Sequence, residues 1–372
     1  MMMRSEVTRA RRVVFKVGSS SLTGKAGAGL DSAAVDQLVD AVASAKARGL
    51  DVLVVTSGAI AAGLAPLGLK VRPKELELQQ AAASVGQGLL MHRYTESFAR
   101  HSITASQVLL TSEDIVRRSH YRNAQRTLDR LLALGVVPVI NENDTVGTSE
   151  IRFGDNDRLA ALVSHLVQAD LLILLSDIDA LYDAPPSAPG ANRISEVSDF
   201  ASLASAEFGG AGTAGVGSGG MATKVEAARI ATSAGIAVVL TSLTNVQGAI
   251  DGSEVGTIFH AGSHRAPSRA LWIAHASTPK GSLLLDAGAV KAILERGTSL
   301  LAAGVTAVTG DFAAGDVVNL IDSTEKVIAR GLVAFDSDEI PQLLGKSTKE
   351  LAASFGAEYE RELVHRDDLT LI

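Results

Sequence analysis

Five short runs of aliphatic residues constrain this chain more than any other feature: RVVFKV (12–17), DVLVVT (51–56), VVPVI (136–140), LLILL (171–175) and AVVLT (237–241). They are almost continuously apolar rather than alternating, the pattern of strands buried on both faces. TASQVLL (104–110) reads as a further strand. Segments with helical spacing separate them. Residues 31–48 place Leu38, Val42 and Ala45 on one face, with Asp31 as N-cap and Gly49 just past the helix end. Further helices are expected from about Glu75 to Arg100, over 121–134 and over 157–168. Strands alternating with helices predict βαβ units and a mainly parallel sheet, an α/β fold. In such folds ligands sit beyond the carboxyl ends of the strands. The chemistry is therefore to be sought just after residues 17, 56, 140 and 175.

The pattern changes near residue 260. AGSHRAPSR (261–269) reads as a linker, and beyond it the runs SLLLD, VTAVTG, VVNLID and KVIARGLVAF are broken by glycine and aspartate turns at shorter spacing. We expect a large α/β domain over 1–265 and a small β-rich domain over 278–365, which suits a length of 372 residues. Hydrophobic residues make up 47% of the chain and aromatics only 4%, so the core must be aliphatic. A net charge of -7 argues against a dedicated nucleic-acid binder. The lack of cysteine excludes disulfides, thiolate nucleophiles and Cys-ligated zinc, and fits a cytoplasmic setting. Arg4, Arg9, Arg11 and Arg12 could mimic the start of a signal peptide, but the apolar run after them meets Lys16 at once. No stretch approaches the roughly 20 apolar residues of a membrane span.

Four constellations could carry chemistry. Lys16-Val17-Gly18-Ser19-Ser20 places a lysine at a strand end beside a loop whose amides could hold phosphate; a surface lysine beside a simple turn is the plain alternative. The stretch 209–224 is rich in glycine and ends Gly220-Met221-Ala222-Thr223-Lys224 at a helix start, where backbone approach and the helix terminus favour phosphate. It lacks the spacing of a P-loop, and Gly345-Lys346-Ser347 fails the same test because Ile340 stands where the first glycine should be. Asn141-Glu142-Asn143-Asp144 and Gly154-Asp155-Asn156-Asp157 bring carboxylates and amides to a predicted strand end, with N-capping and catalysis equally open for Asp157. Ser176-Asp177 follows the strand LLILL and reads as a nucleotide contact or as an Asx turn. No histidine pattern suggests a metal site or a Ser-His-Asp arrangement.

Taken together, KVGSSSLT (16–23), VTSGAIAAG (55–63), QQAAASVGQ (79–87), NENDTV (141–146), FGDND (153–157), LLSDIDALY (174–182) and GSGGMATKVEAA (217–228) resemble, in order, the glutamate 5-kinase branch of the amino acid kinase family. The C-terminal part is similar to a PUA domain. The resemblance implies a three-layer αβα sandwich using ATP and Mg²⁺ to make L-glutamyl 5-phosphate for proline biosynthesis. It implies that Lys16 and Lys224 contact the transferring phosphoryl group and that Asp157 orients them. Ser57, Gly58, Asp144 and Asn156 would bind glutamate. Lys16, Ser176, Asp177, Ser218, Gly219, Gly220, Met221, Ala222, Thr223 and Lys224 would bind ATP, with Mg²⁺ held mainly through the ATP phosphates rather than by a protein metal site. The resemblance further implies feedback inhibition by L-proline, functional coupling to a glutamyl phosphate reductase, and a homo-oligomer.

The chemistry agrees with these residues. A carboxylate acceptor is already ionised at neutral pH and needs no general base. Transfer then needs in-line positioning and charge neutralisation, hence lysines and amides rather than a catalytic histidine. Asp144 is expected opposite the substrate ammonium and the amides near Gly58 opposite a carboxylate. Acetylglutamate and aspartate kinases are the near rivals, though no KFGG-like opening is present. An RNA-binding PUA protein is the distant rival. Residues 278–372 hold nine lysines and arginines against 15 carboxylates, a net of -6, which suits a phosphate backbone poorly.

Overall fold

The computed structural model describes residues 4–23, 29–111, 114–115, 118–146, 156–203, 220–262, 273 and 279–372. The chain forms two compact units, Met1–Arg265 and Ala266–Ile372.

In the first unit the aliphatic runs form strands. They are β1 (Arg12–Val17), β2 (Asp51–Thr56), β3 (Ala105–Leu110), β4 (Val137–Glu142), β5 (Leu171–Ser176), the short β6 (Leu181–Tyr182), β7 (Arg193–Ile194) and β8 (Glu196–Val197), then β9 (Ala237–Ser242) and β10 (Thr257–Phe259). Between them lie α1 (Ser5–Arg9), α2 (Ser19–Leu22), α3 (Ser32–Ala47), α4 (Ala59–Leu64), α5 (Leu76–Ala99), α6 (Arg118–Ala133), α7 (Asn156–Leu166), α8 (Met221–Ser233) and α9 (Val246–Ile250). One eight-stranded sheet has the order β3-β4-β2-β1-β5-β9-β10-β8. Every pair from β3 to β9 is parallel; β10 runs antiparallel to β9, and β8 pairs parallel with β10, so these two edge strands oppose the other six.

The chain leaves β1 for β2 on one side and reaches β5 on the other, so β1 sits at a switch in strand order, the place where such sheets bind ligands beyond their carboxyl ends. Alternation of side chains divides the strands between two layers. Val13, Phe15, Val17, Val52, Val54, Ile173 and Leu175 share one core with residues of α3, α5 and α9. Lys16 falls on the opposite face, the side of α7.

The ends of α3 follow the expected chemistry. The Asp31 carboxylate accepts from the backbone N–H of Ala33 and Ala34, and Gly49 takes φ +84° just past the helix. Ala82, Ala83 and Gly86 give α5 a face of small residues. It packs on α4. A Cβ on Gly86 would stand 1.8 Å from the Ala59 carbonyl oxygen, and one on Gly63 would stand 1.9 Å from that of Ala82. Only glycine permits that approach.

The second unit carries β11 (Gly281–Leu285), β12 (Val305–Gly310), β13 (Val317–Ile321), β14 (Val327–Leu332) and β15 (Leu369–Leu371) in one sheet of order β12-β11-β13-β14-β15. The four runs expected as strands are β11 to β14; β15 lies past residue 365 and pairs with β14. Leu283, Leu285, Ile293, Val318, Leu320, Phe335 and Leu351 form a core of its own. Gly345-Lys346-Ser347 is a helix boundary: Ser347 caps Thr348–Phe355 in a capping box with Glu350.

Candidate active site

The carboxyl ends of β1, β2, β4 and β5 meet the start of α7. Lys16, the penultimate residue of β1, lies opposite Val55 of β2 and Leu174 of β5. Its side chain is 1% exposed and its ammonium pairs with Asp157 Oδ1. Asp157, 0% exposed, is the second residue of α7. Its other oxygen accepts from Lys224 Nζ at 3.0 Å, and Lys224 is only 8% exposed. The Thr223 hydroxyl stands 3.1 Å from the same oxygen and 2.8 Å from the carbonyl oxygen of Gly220. One buried carboxylate therefore holds two buried ammonium groups, one from a strand and one from the first turn of α8. Asp157 stands inside the helix as its second residue, and its carboxylate pairs with both lysines.

Such burial is costly without a partner, since each charge gives up several kcal/mol of hydration. A core in this place would be better served by an aliphatic triplet, so the charges point to a ligand rather than to stability. Gly18 follows β1 and leaves room beside them: a Cβ there would lie 3.5 Å from Lys16 Nζ.

Beside this cluster lies a second one, built of amides. Asn156, the neighbour of Asp157, donates through Nδ2 to the carbonyl oxygen of Thr56 at 2.5 Å and to Asn141 Oδ1 at 2.7 Å. Asn141 Oδ1 also accepts from the backbone N–H of Glu142 at 2.9 Å, and Asn141 Nδ2 donates to Gln87 Oε1 at 2.8 Å. Thr56 ends β2 and leads into Ser57 and Gly58. Gly58 takes φ +107°, the left-handed turn by which the chain passes from β2 into α4. The Thr56 hydroxyl lies 2.9 Å from the buried Tyr94 phenol and 3.1 Å from the Ser57 carbonyl oxygen. Burial pushes the Tyr94 phenol well above its ordinary value, against the hydrogen bond with Thr56, so it stays protonated.

Lys16, Asp157, Lys224, Thr223 and Gly220 thus form one connected group, and Asn156, Asn141 and the Thr56-Ser57-Gly58 corner another. Asp144 is half-buried in the turn after β4. Ser176 is buried at the end of β5 and donates to the carboxylate of the exposed Asp177 at 3.0 Å. Met221 and Ala222 open α8. Ser218 and Gly219 lie outside the described residues. Gln87, Tyr94 and Thr56 were not singled out by sequence; Gln87 ends the string QQAAASVGQ, whereas Tyr94 offered no signal beyond a core position on a helix.

Residues 11–242 match the amino acid kinase family and residues 281–355 match the PUA domain. The chain is 62% identical over 370 residues to the glutamate 5-kinase of Streptomyces avermitilis, covering 99% of this chain and 98% of that one. It belongs to the glutamate 5-kinases of the amino acid kinase family. Other members of this family are equally full-length matches: the glutamate 5-kinase of Salinispora arenicola is 60% identical across 100% of both chains, and that of Thermobifida fusca 58% identical across 99% of this chain and 95% of its own. The amino acid kinase fold is also seen in the carbamate kinase from Giardia lamblia bound to AMP-PNP, with a TM-score of 0.52, 16% identity, and coverage of 68% of this chain and 100% of that one. Among the described residues, no helix is long and apolar enough to cross a membrane.

Proposed function

We propose that this chain transfers the γ-phosphoryl group of ATP to the side-chain carboxylate of L-glutamate. A carboxylate oxygen forms the new bond to phosphorus, the bond from phosphorus to the bridging oxygen breaks, and ADP leaves with the electron pair. L-glutamyl 5-phosphate, the first intermediate of proline biosynthesis, is the product. The observation that carries this reading is the buried Lys16–Asp157–Lys224 cluster, in which a single carboxylate serves two cations at the carboxyl end of the central strand.

Two anions must meet for this reaction, and their repulsion is strongest in a dry site. Lys16 and Lys224 flank the phosphoryl group and offset the charge that shifts across it. Asp157 pairs with both lysines and holds them aimed at one place. No side chain has to remove a proton, because the acceptor is ionised. Backbone N–H groups at Gly18 and Gly220, with Ser176 and Asp177 at the end of β5, line the nucleotide side. Ser57, Gly58, Asp144 and Asn156 line the acceptor side. Mg²⁺ is assigned to the ATP phosphates, whose charge it would neutralise. Feedback by L-proline, coupling to a glutamyl phosphate reductase, homo-oligomerisation and a cytoplasmic location belong to the same proposal. For the acidic second unit we favour a structural or regulatory role over RNA binding.

The test is a hydroxamate-trapping assay with ATP and Mg²⁺, offering L-glutamate, L-aspartate or N-acetyl-L-glutamate. Hydroxamate from glutamate alone is expected. Product from another acceptor in its place would move the enzyme to a sister activity.

A further inference from the structure

The amide cluster can be read for polarity as well as position, provided the acceptor is glutamate as proposed above. Amide oxygen and nitrogen are assigned from their partners, and here two backbone groups fix the assignment at both ends. The Glu142 N–H can only donate, so the Asn141 atom 2.9 Å from it is oxygen. The Thr56 carbonyl can only accept, so the Asn156 atom 2.5 Å from it is nitrogen. Both hydrogens of Asn156 Nδ2 are then consumed, one by Thr56 and one by Asn141. What Asn156 has left to offer a ligand is its oxygen, an acceptor. Glutamate carries one hydrogen-bond-donating group, its α-ammonium; both its carboxylates only accept.

The two ends of this network are held by one helix. Gln87 and Tyr94 stand seven residues apart on α5, hence on the same face. Gln87 Oε1 accepts from Asn141 Nδ2, and with the Glu142 N–H holds the amide orientation in which Asn141 shows its oxygen to Asn156. The fully buried Tyr94 hydroxyl meets Thr56 Oγ1, which in turn lies within bonding distance of the Ser57 carbonyl oxygen. The same helix carries Gly86, packed against the Ala59 carbonyl at the start of α4. We infer that Gln87 and Tyr94 are positioning residues for the acceptor: through Asn141 and Thr56 they hold Asn156 with its oxygen toward the ligand, so that the site reads the α-ammonium of the amino acid.

Steady-state kinetics on the full chain test this with Gln87→Met, Gln87→Glu and Tyr94→Phe. Methionine keeps the length of Gln87 without its acceptor oxygen, whereas glutamate keeps an acceptor. Gln87→Met and Tyr94→Phe are each expected to raise the KM for glutamate about fivefold to tenfold, the effect of one lost hydrogen bond. The KM for ATP should stay within about twofold, and Gln87→Glu should return the glutamate KM to within about threefold of the unmodified chain. A glutamate KM unchanged in both Gln87→Met and Tyr94→Phe overturns the inference. So does a parallel loss of kcat and both KM values together with a lowered unfolding midpoint, or a Gln87→Glu chain as impaired as Gln87→Met. Should Gln87→Met fail to fold, Tyr94→Phe alone decides by the same criterion. Failure of the unmodified chain to turn over glutamate would instead overturn the activity on which the inference rests.

Discussion

Lys224→Met separates the work of the lysine cluster from its contribution to folding. Lys224 Nζ lies 3.0 Å from Asp157 Oδ2 and its residue is 8% exposed, so methionine removes one buried cation at nearly constant volume. An ammonium about 4 Å from a phosphoryl oxygen is worth about 4 kcal/mol at an effective dielectric constant near 20. Loss of a single preorganised electrostatic group elsewhere costs about 100-fold to 1,000-fold in kcat. We therefore expect kcat to fall by about that factor, with a small change in the KM for glutamate. Stability should fall much less, by about 1–3 kcal/mol, because Asp157 keeps Lys16 as an ion-pair partner. Asp157→Asn reverses the balance. It strips two buried ammonium groups of their shared anion, and breaking a buried pair costs about 3–5 kcal/mol. The assay is hydroxamate formation alongside urea denaturation of the same preparations. Lys224→Met with kcat within about threefold of the unmodified chain would refute the charge-neutralisation argument.

Two further expectations concern the scaffold. Gly86→Ala places a methyl 1.8 Å from the Ala59 carbonyl oxygen and 2.4 Å from the Gly63 nitrogen, so α4 and α5 must part; a loss of about 1–3 kcal/mol or more is expected in urea denaturation. Asp36 joins α3 to α5: its carboxylate accepts from the Ser97 hydroxyl at 2.5 Å and pairs with Arg93 and Arg100. The Ser97 hydrogen bond and the two arginines hold it below the usual carboxylate range. A depressed carboxyl stabilises above its unfolded value and loses that contribution as pH falls through the folded one. Asp36→Asn should therefore lower the unfolding midpoint at neutral pH, and its deficit should shrink below about pH 4; a deficit that does not change with pH would contradict this.

Local chemistry made much of this molecule legible. Continuous aliphatic runs are strands buried on both faces, and Asp31 and Gly49 bound α3 as capping rules require. Apolarity ended β4 too early. VVPVI ends at Ile140, but β4 continues through Asn141 and Glu142, paired with Leu109 and Leu110 of β3. Polar residues are tolerated there because the Asn141 amide is bonded to Gln87, Asn156 and the Glu142 N–H. Asp157 could not be decided from sequence because a helix-start aspartate suits a cap as well as an ion pair, and its lysine partners lie 141 and 67 residues away in the chain. Tyr94 was invisible for the same reason. Its partner Thr56 is 38 residues distant, and a tyrosine on a buried helix face carries no sign of what its hydroxyl meets.

Placing Asn156 and Asp157 side by side has a mechanical consequence. Consecutive residues on a helix point about 100° apart, so the first two residues of α7 address different neighbours. Asn156 turns to Thr56 and Asn141, the side proposed for the acceptor, and Asp157 turns to Lys16 and Lys224, the side proposed for the phosphoryl group. The distance between acceptor and lysines is then set by the backbone of one helix start rather than by two independently moving loops. In-line transfer gains much of its rate from such fixed separation, since a misplacement of about 1 Å can cost about 100-fold. On the proposed reading the ionised acceptor needs no general base. The site needs α7 held still, which the eleven residues Asn156–Leu166 achieve by being buried along nearly their whole length.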